Sequence, residues 1–176
     1  MSESVQATGT DAAECKLCAV QKGYWKDDYI PFFVKSKKRT MPLINRGYYA
    51  RVQGLDTLIK TFITSNSKSK QCPSSISCQI VSLGAGRDTT YFRLRSLFSN
   101  CHYIEVDLPQ VVGQKIQSIC TRNELRDRLE MKSEWKKQIK DDFSGLSTGK
   151  YSLFTCDIGN IEKLKRTLTE YGFQTR

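Results

Sequence analysis

A chain of 176 residues, 39% hydrophobic and 26% charged, is long enough for one domain with a real core and has an ordinary globular composition. The formal net charge is +10, yet 28 Lys and Arg are spread along the chain among 18 Asp and Glu. The densest run, Lys35 to Arg39, lacks the interleaved aromatics of a single-strand groove, so the charge reads as a solvated face and argues against a nucleic-acid partner. No stretch approaches the ~18 uninterrupted apolar residues of a membrane span, and the first residues show no basic start before an apolar run. The expectation is a cytoplasmic protein with no membrane partner.

In chain order, residues 1–13 carry Ser, Thr, Ala and Gly and read as a disordered tail, so the domain proper is expected over 14–176. A short helix is expected from Ala13, followed by an aromatic-rich stretch, Gly23-Tyr24-Trp25-Lys26-Asp27-Asp28-Tyr29. Ile44, Tyr48, Val52, Leu55, Leu58, Ile59 and Phe62 recur at spacings of three and four, which predicts an amphipathic helix from Ile44 to Thr64. These elements form an N-terminal helical segment over 14–66. Ser65 to Ser75 reads as a loop. Seven cysteines, an odd number in a chain without a secretion signal, read as free buried thiols. Cys15 and Cys18 form a lone C-x-x-C without the further ligands a zinc site needs, so no metal is expected.

From residue 77 the period changes. Ser77 to Leu83 is an apolar run ending in Gly84-Ala85-Gly86, with a helix expected from about Thr89. His102 to Asp107 predicts a second strand, and Pro109 opens a helix through Val111, Val112 and Ile116. Thr121 to Lys150 is highly charged with helix-compatible stretches. Tyr151 to Asp157 predicts a third strand, followed by an amphipathic helix from Ile161 to Tyr171. Alternating strands and helices over 77–176 indicate an α/β fold with a parallel sheet of about three strands.

Three signals then fall at the C-terminal ends of three successive strands, where an open α/β sheet binds its ligand. Gly84 and Gly86 permit a sharp turn and close backbone approach. Asp107 lies twenty-one residues beyond Gly86, the spacing of an acid that accepts hydrogen bonds from a ribose. Asp157 closes the third strand, where it could meet an adenine edge. Each acid could equally cap the helix that follows it; three in register point to a nucleoside-like ligand. Thr89 stands where a dinucleotide fingerprint has its third glycine, which disfavours NAD and suits S-adenosylmethionine. The sole histidine, His102, falls in a strand pattern, so imidazole catalysis is poorly supported here. Methyl transfer to a carboxylate has no need of it, because that nucleophile is already ionised at neutral pH.

Four blocks carry a family resemblance: Cys15-Lys16 with Gly23 to Asp27, Asn45 to Val52, Ser82 to Thr90, and Glu105 to Pro109. From Cys15 to about Tyr171 the chain resembles the N-terminal half of the leucine carboxyl methyltransferase family. The resemblance implies a Rossmann-like methyltransferase fold, S-adenosyl-L-methionine as cofactor, and methylation of the C-terminal leucine of the protein phosphatase 2A catalytic subunit. It places cofactor contacts on Lys16, Arg51, Gly84, Asp107, Asp157 and Ile158, with the two cations facing the cofactor's carboxylate, and it names no catalytic residue. A relative acting on transfer RNA in wybutosine synthesis shares these blocks, and a non-catalytic binding fragment is a third reading. The family continues past the third strand, whereas this chain stops at Arg176. The usual strand order would put the first strand at the centre, so an open hydrophobic edge, poor solubility, weak cofactor binding and little activity are expected of the chain alone.

Overall fold

A computed structural model describes residues 3–67, 78–131 and 133–174. Most of the expected loop after Ser67, together with Cys72, lies outside the described residues. The chain divides into two compact units, a helical one that also takes in Arg87–Leu97, and a sheet unit formed by the rest. The alternating pattern over 77–176 spans both units, since Arg87–Leu97 falls in the helical one.

The helical unit contains α1 (Glu3–Gln21), α2 (Ile30–Phe33), α3 (Pro42–Ser67), α4 (Thr90–Arg93) and a 3-10 turn at Arg95–Leu97. Helix α1 begins well before residue 13, where the sequence predicted a tail. Alanine and other helix-compatible residues allow this, and Ala13 and Leu17 anchor the helix by packing with Ile30 and Val34 in a small buried core. Helix α3 extends the predicted span by about a turn in total and packs on α1. Its opposite side leaves Leu43, Leu55, Leu58 and Phe62 exposed.

The helix expected after Gly86 is a single turn, α4, continued by the 3-10 turn. Thr90, Tyr91 and Phe92 are consecutive and all buried, so the chain must wrap here rather than offer one apolar stripe. Phe92 packs against Tyr29 and Phe33 with ring centroids 5.7 and 5.5 Å away. Beside them, Arg93 donates from Nη1 and Nη2 to the two oxygens of Asp56, at 2.5 and 2.9 Å. Its Nε lies 3.6 Å from Asp27 Oδ2. Burial works against the Arg93 charge, but the Asp56 hydrogen bonds and charge outweigh it and hold the guanidinium above its ordinary pKa.

The sheet unit contains β1 (Cys78–Leu83), β2 (Cys101–Asp107), α5 (Pro109–Thr121), α6 (Asn123–Arg128), a 3-10 turn at Trp135–Gln138, β3 (Gly145–Ser147), β4 (Tyr151–Thr155) and α7 (Ile161–Glu170). The strand order is β1-β2-β4-β3, with β1, β2 and β4 parallel and β3 antiparallel to β4. Strands β1, β2 and β4 are the three parallel strands expected, and β3 is an antiparallel addition to them. It arises from a tight hairpin in which Gly149 adopts φ +85° and Thr148 N–H donates to Tyr151 O at 2.9 Å. Three residues with a polar end give too short a pattern to read as a strand. Strand β1 pairs only with β2 among the described residues, and Leu83 at its end is 53% exposed.

Residues alternate between the two faces of β2. Ile104 and Val106 join Phe154, Cys156 and Leu164 in the core under α7. Glu105 points to the other face, where Lys115 of α5 donates to its Oε2 at 2.5 Å and Tyr151 O–H donates to the same oxygen at 2.8 Å. Helices α5 and α7 therefore cover opposite faces, as an α/β sheet requires. The six cysteines among the described residues are free, and all but Cys120 are buried. No helix among these residues is long and apolar enough to cross a membrane.

Two outcomes follow. Asp56→Ala strands the buried Arg93 charge and is expected to cost roughly 3–5 kcal/mol in a urea unfolding titration, whereas a loss within ~0.5 kcal/mol contradicts the ion pair. His102 is buried in β2, and burial pushes its imidazole below the ordinary value of 6.5. The unfolded chain then binds the proton more readily, so this contribution to stability is complete above pH 6.5 and is lost as pH falls from there toward the folded-state value. Proton NMR of the only histidine is expected to show a titration midpoint below 6.5.

Candidate cofactor site at the strand ends

Because β1, β2 and β4 are adjacent and parallel, Gly84, Asp107 and Asp157 come to the same end of the sheet. Asp107 pairs with Thr155 in register, and Cys156 N–H donates to Asp107 O at 3.0 Å, which carries the β2–β4 pairing to within one residue of Asp157.

The turn after β1 is tied to β2 at three points. Gly84 N–H and Ala85 N–H both donate to Val106 O, at 2.8 and 3.2 Å. Gly86 N–H donates to Asp107 Oδ2 at 2.6 Å. Gly84 and Gly86 sit at φ +66° and +57°, conformations that side chains resist, and nothing lies within 4 Å of where a Cβ would stand on either. Glycine is needed for the turn, and the space beside it is open. The other Asp107 oxygen, Oδ1, accepts from Leu108 N–H at 2.7 Å. Asp107 is therefore not the side-chain cap of α5 weighed in the sequence: its two oxygens take one backbone donor each and retain lone pairs for further donors. Asp157 Oδ1 accepts from Gly159 N–H at 2.9 Å and does not cap α7. That role falls to Asn160, which accepts from Lys163 N–H. Ile158, 46% exposed, presents an apolar surface beside Asp157.

Lys16 and Arg51 belong to the helical unit, on the packed helices α1 and α3. Lys16 Nζ lies 3.3 Å from Asp88 Oδ2, while Asp88 Oδ1 accepts from Thr90 N–H at 2.7 Å at the start of α4. Arg51 is exposed.

The sequence alone assigns no individual role to Asp27 or Asp88. Asp27 accepts from Tyr29 N–H and Ile30 N–H at 3.0 and 3.1 Å, and from Thr89 O–H at 2.5 Å, which fixes the aromatic stretch before α2 to the segment before α4. These residues stand inside the sequence blocks quoted for the resemblance. That was the available signal, although sixty-two residues separate Asp27 from Thr89 and no local pattern links them.

Gly86→Ala forces a Cβ into left-handed geometry without a clash, so about 1–2 kcal/mol of stability should be lost on thermal or urea unfolding. An unchanged stability would show that the turn relaxes out of this conformation.

The model of the family described as leucine carboxyl methyltransferase matches residues 4–176. Leucine carboxyl methyltransferase 1 homolog of Arabidopsis thaliana is 38% identical over 167 residues, covering 94% of this chain and 47% of the relative. Leucine carboxyl methyltransferase 1 of Rattus norvegicus is 38% identical over 178 residues, covering 99% of this chain and 50% of the relative. The corresponding protein of Caenorhabditis elegans is 32% identical over 176 residues. The chain thus spans about half the length of the curated relatives it matches. With a mostly parallel α/β sheet and a family match over nearly its whole length, this chain belongs to the leucine carboxyl methyltransferase family.

Proposed function

We propose that this chain serves methyl transfer from S-adenosyl-L-methionine to the C-terminal leucine carboxylate of the protein phosphatase 2A catalytic subunit. The reading is supported by membership of the family and rests on one observation above all: the Asp107 carboxylate is held by Gly86 N–H and Leu108 N–H at the end of β2.

The residues present fit such a cofactor. Asp107 keeps acceptor capacity for a pair of ribose hydroxyls, the glycine turn leaves its backbone open, and Ile158 supplies an exposed apolar face of the kind an adenine ring packs against. Asp157 is proposed to meet the adenine edge. Lys16 and Arg51 are proposed, on the resemblance, as partners for the cofactor's carboxylate. When bound, S-adenosylmethionine supplies an electrophilic methyl group on a sulfonium. The leucine carboxylate is ionised at neutral pH and needs no base, so the protein's task is to position it and exclude water.

Isothermal titration of the chain with S-adenosylmethionine tests the cofactor reading. Asp107→Ala should weaken binding by about tenfold or more, the worth of hydrogen bonds to a charged group, with its far-UV spectrum unchanged. Equal binding by the folded variant and the wild type would sink the assignment. The substrate reading is tested with radiolabelled cofactor and two phosphatase C-terminal peptides. The one ending in a free leucine carboxylate should take label, slowly given the little activity expected of the chain alone, and the one ending in an amide should take none.

A further inference from the structure

The segment that joins α2 to α3 is tied down at both ends and turned outward between them. Val34 is buried with Ala13, Leu17 and Ile30, and Asn45 in the first turn of α3 is 3% exposed. Asn45 Oδ1 accepts from Thr40 O–H at 2.6 Å, and Asn45 N–H donates to Met41 O at 3.2 Å. From Lys35 to Ile44 every residue except Ser36 and Thr40 is exposed.

That outward stretch has two halves of different chemistry. Lys35, Lys37, Lys38 and Arg39 come first. Lys38 pairs with Asp11, but no carboxylate pairs with Lys35, Lys37 or Arg39 among the described residues. Directly after them stand Met41, Pro42, Leu43 and Ile44, apolar in a row and all exposed, Met41 at 68% and Leu43 at 75%. Soluble proteins avoid water-facing apolar runs of this length unless the run meets something. The hydrogen bonds of Asn45 hold this turn in place, so the exposure is built into the fold.

The directions of these side chains select the partner. Successive helical residues point about 100° apart, so the apolar residues that open α3 spread around its end instead of lining one side. A helix or groove of another protein covers residues spaced three and four apart on a single side. A lipid interface surrounds an inserted tip, and it takes apolar side chains without demanding a complementary shape. A negatively charged leaflet also attracts the Lys and Arg beside such a tip. Apolar insertion and cationic attraction together give stable attachment, whereas one signal alone is marginal.

We propose that Lys35, Lys37 and Arg39, with Met41, Leu43 and Ile44, form a docking surface for an anionic lipid membrane. The expectation of no membrane partner rested on the lack of a spanning stretch, which docking of this kind does not require.

Vesicle co-sedimentation is the test. The 176-residue protein is spun with vesicles of phosphatidylcholine alone, with vesicles that also contain roughly 30% phosphatidylserine, and without vesicles as a control. It should pellet with the anionic vesicles only, and less at high salt, where the attraction is screened. Lys35→Gln/Lys37→Gln/Arg39→Gln should weaken that binding by about fivefold per charge removed. Met41→Ser/Leu43→Ser should weaken it by about tenfold or more. All five positions are exposed, so both variants should keep the wild-type far-UV spectrum. The proposal is overturned if anionic vesicles bring down no more protein than the control, or if phosphatidylcholine alone does as well. It is equally overturned if either variant binds like the wild type, since binding without the apolar tip would leave only a cationic run, open to any acidic protein.

Discussion

Parallel pairing of β1, β2 and β4 is the constraint on which the rest of the sheet unit depends. Strands that run the same way finish on the same edge, so residues far apart in the chain, Gly84, Asp107 and Asp157, gather without any direct bond among all three. The hydrogen bond from Gly86 to Asp107 then converts this proximity into a fixed geometry. It joins the turn leaving one strand to the acid ending the next, and it orients the carboxylate before any ligand is bound.

The same sheet carries charge in its interior, with a different consequence. Glu105 is fully buried one residue from Val106, whose carbonyl anchors the glycine turn. Lys115 and Tyr151 both converge on its Oε2 and so link α5, β2 and β4. A buried pair of this kind adds little net stability compared with apolar packing, but breaking it leaves a charge stranded. Its effect is to hold α5 in one register against the strands. In the helical unit Asp27 and Asp56 play the corresponding part around Arg93, so each unit has its own desolvated ion pair fixing helix to strand or helix to turn.

The two ends of β2 show how one strand can serve different chemistry. At its C-terminal end backbone N–H groups are spent on a carboxylate, which suits a neutral polyol such as a ribose. At its N-terminal end side chains bond one another instead: His102 Nε2 meets Ser152 Oγ, which lies 3.1 Å from Ser147 Oγ. Burial keeps the His102 imidazole neutral, so any positive charge at that end comes from lysine.

The sequence by itself determined the α/β class, the positions of β1, β2, β4 and α7, and the residues at the strand ends. Those features rest on local periodicity, on glycine's conformational freedom and on an acid at a characteristic spacing, all written within some twenty residues. Only the tertiary structure decided that α4 is a single turn, that a fourth strand folds back on β4, that Asp27 binds Thr89, and that Lys16 already has Asp88 as a partner. Each of these depends on which side chains meet once the chain has collapsed. A hairpin strand of three residues and a carboxylate sixty-two residues from its hydroxyl leave no periodic trace in the order of the amino acids.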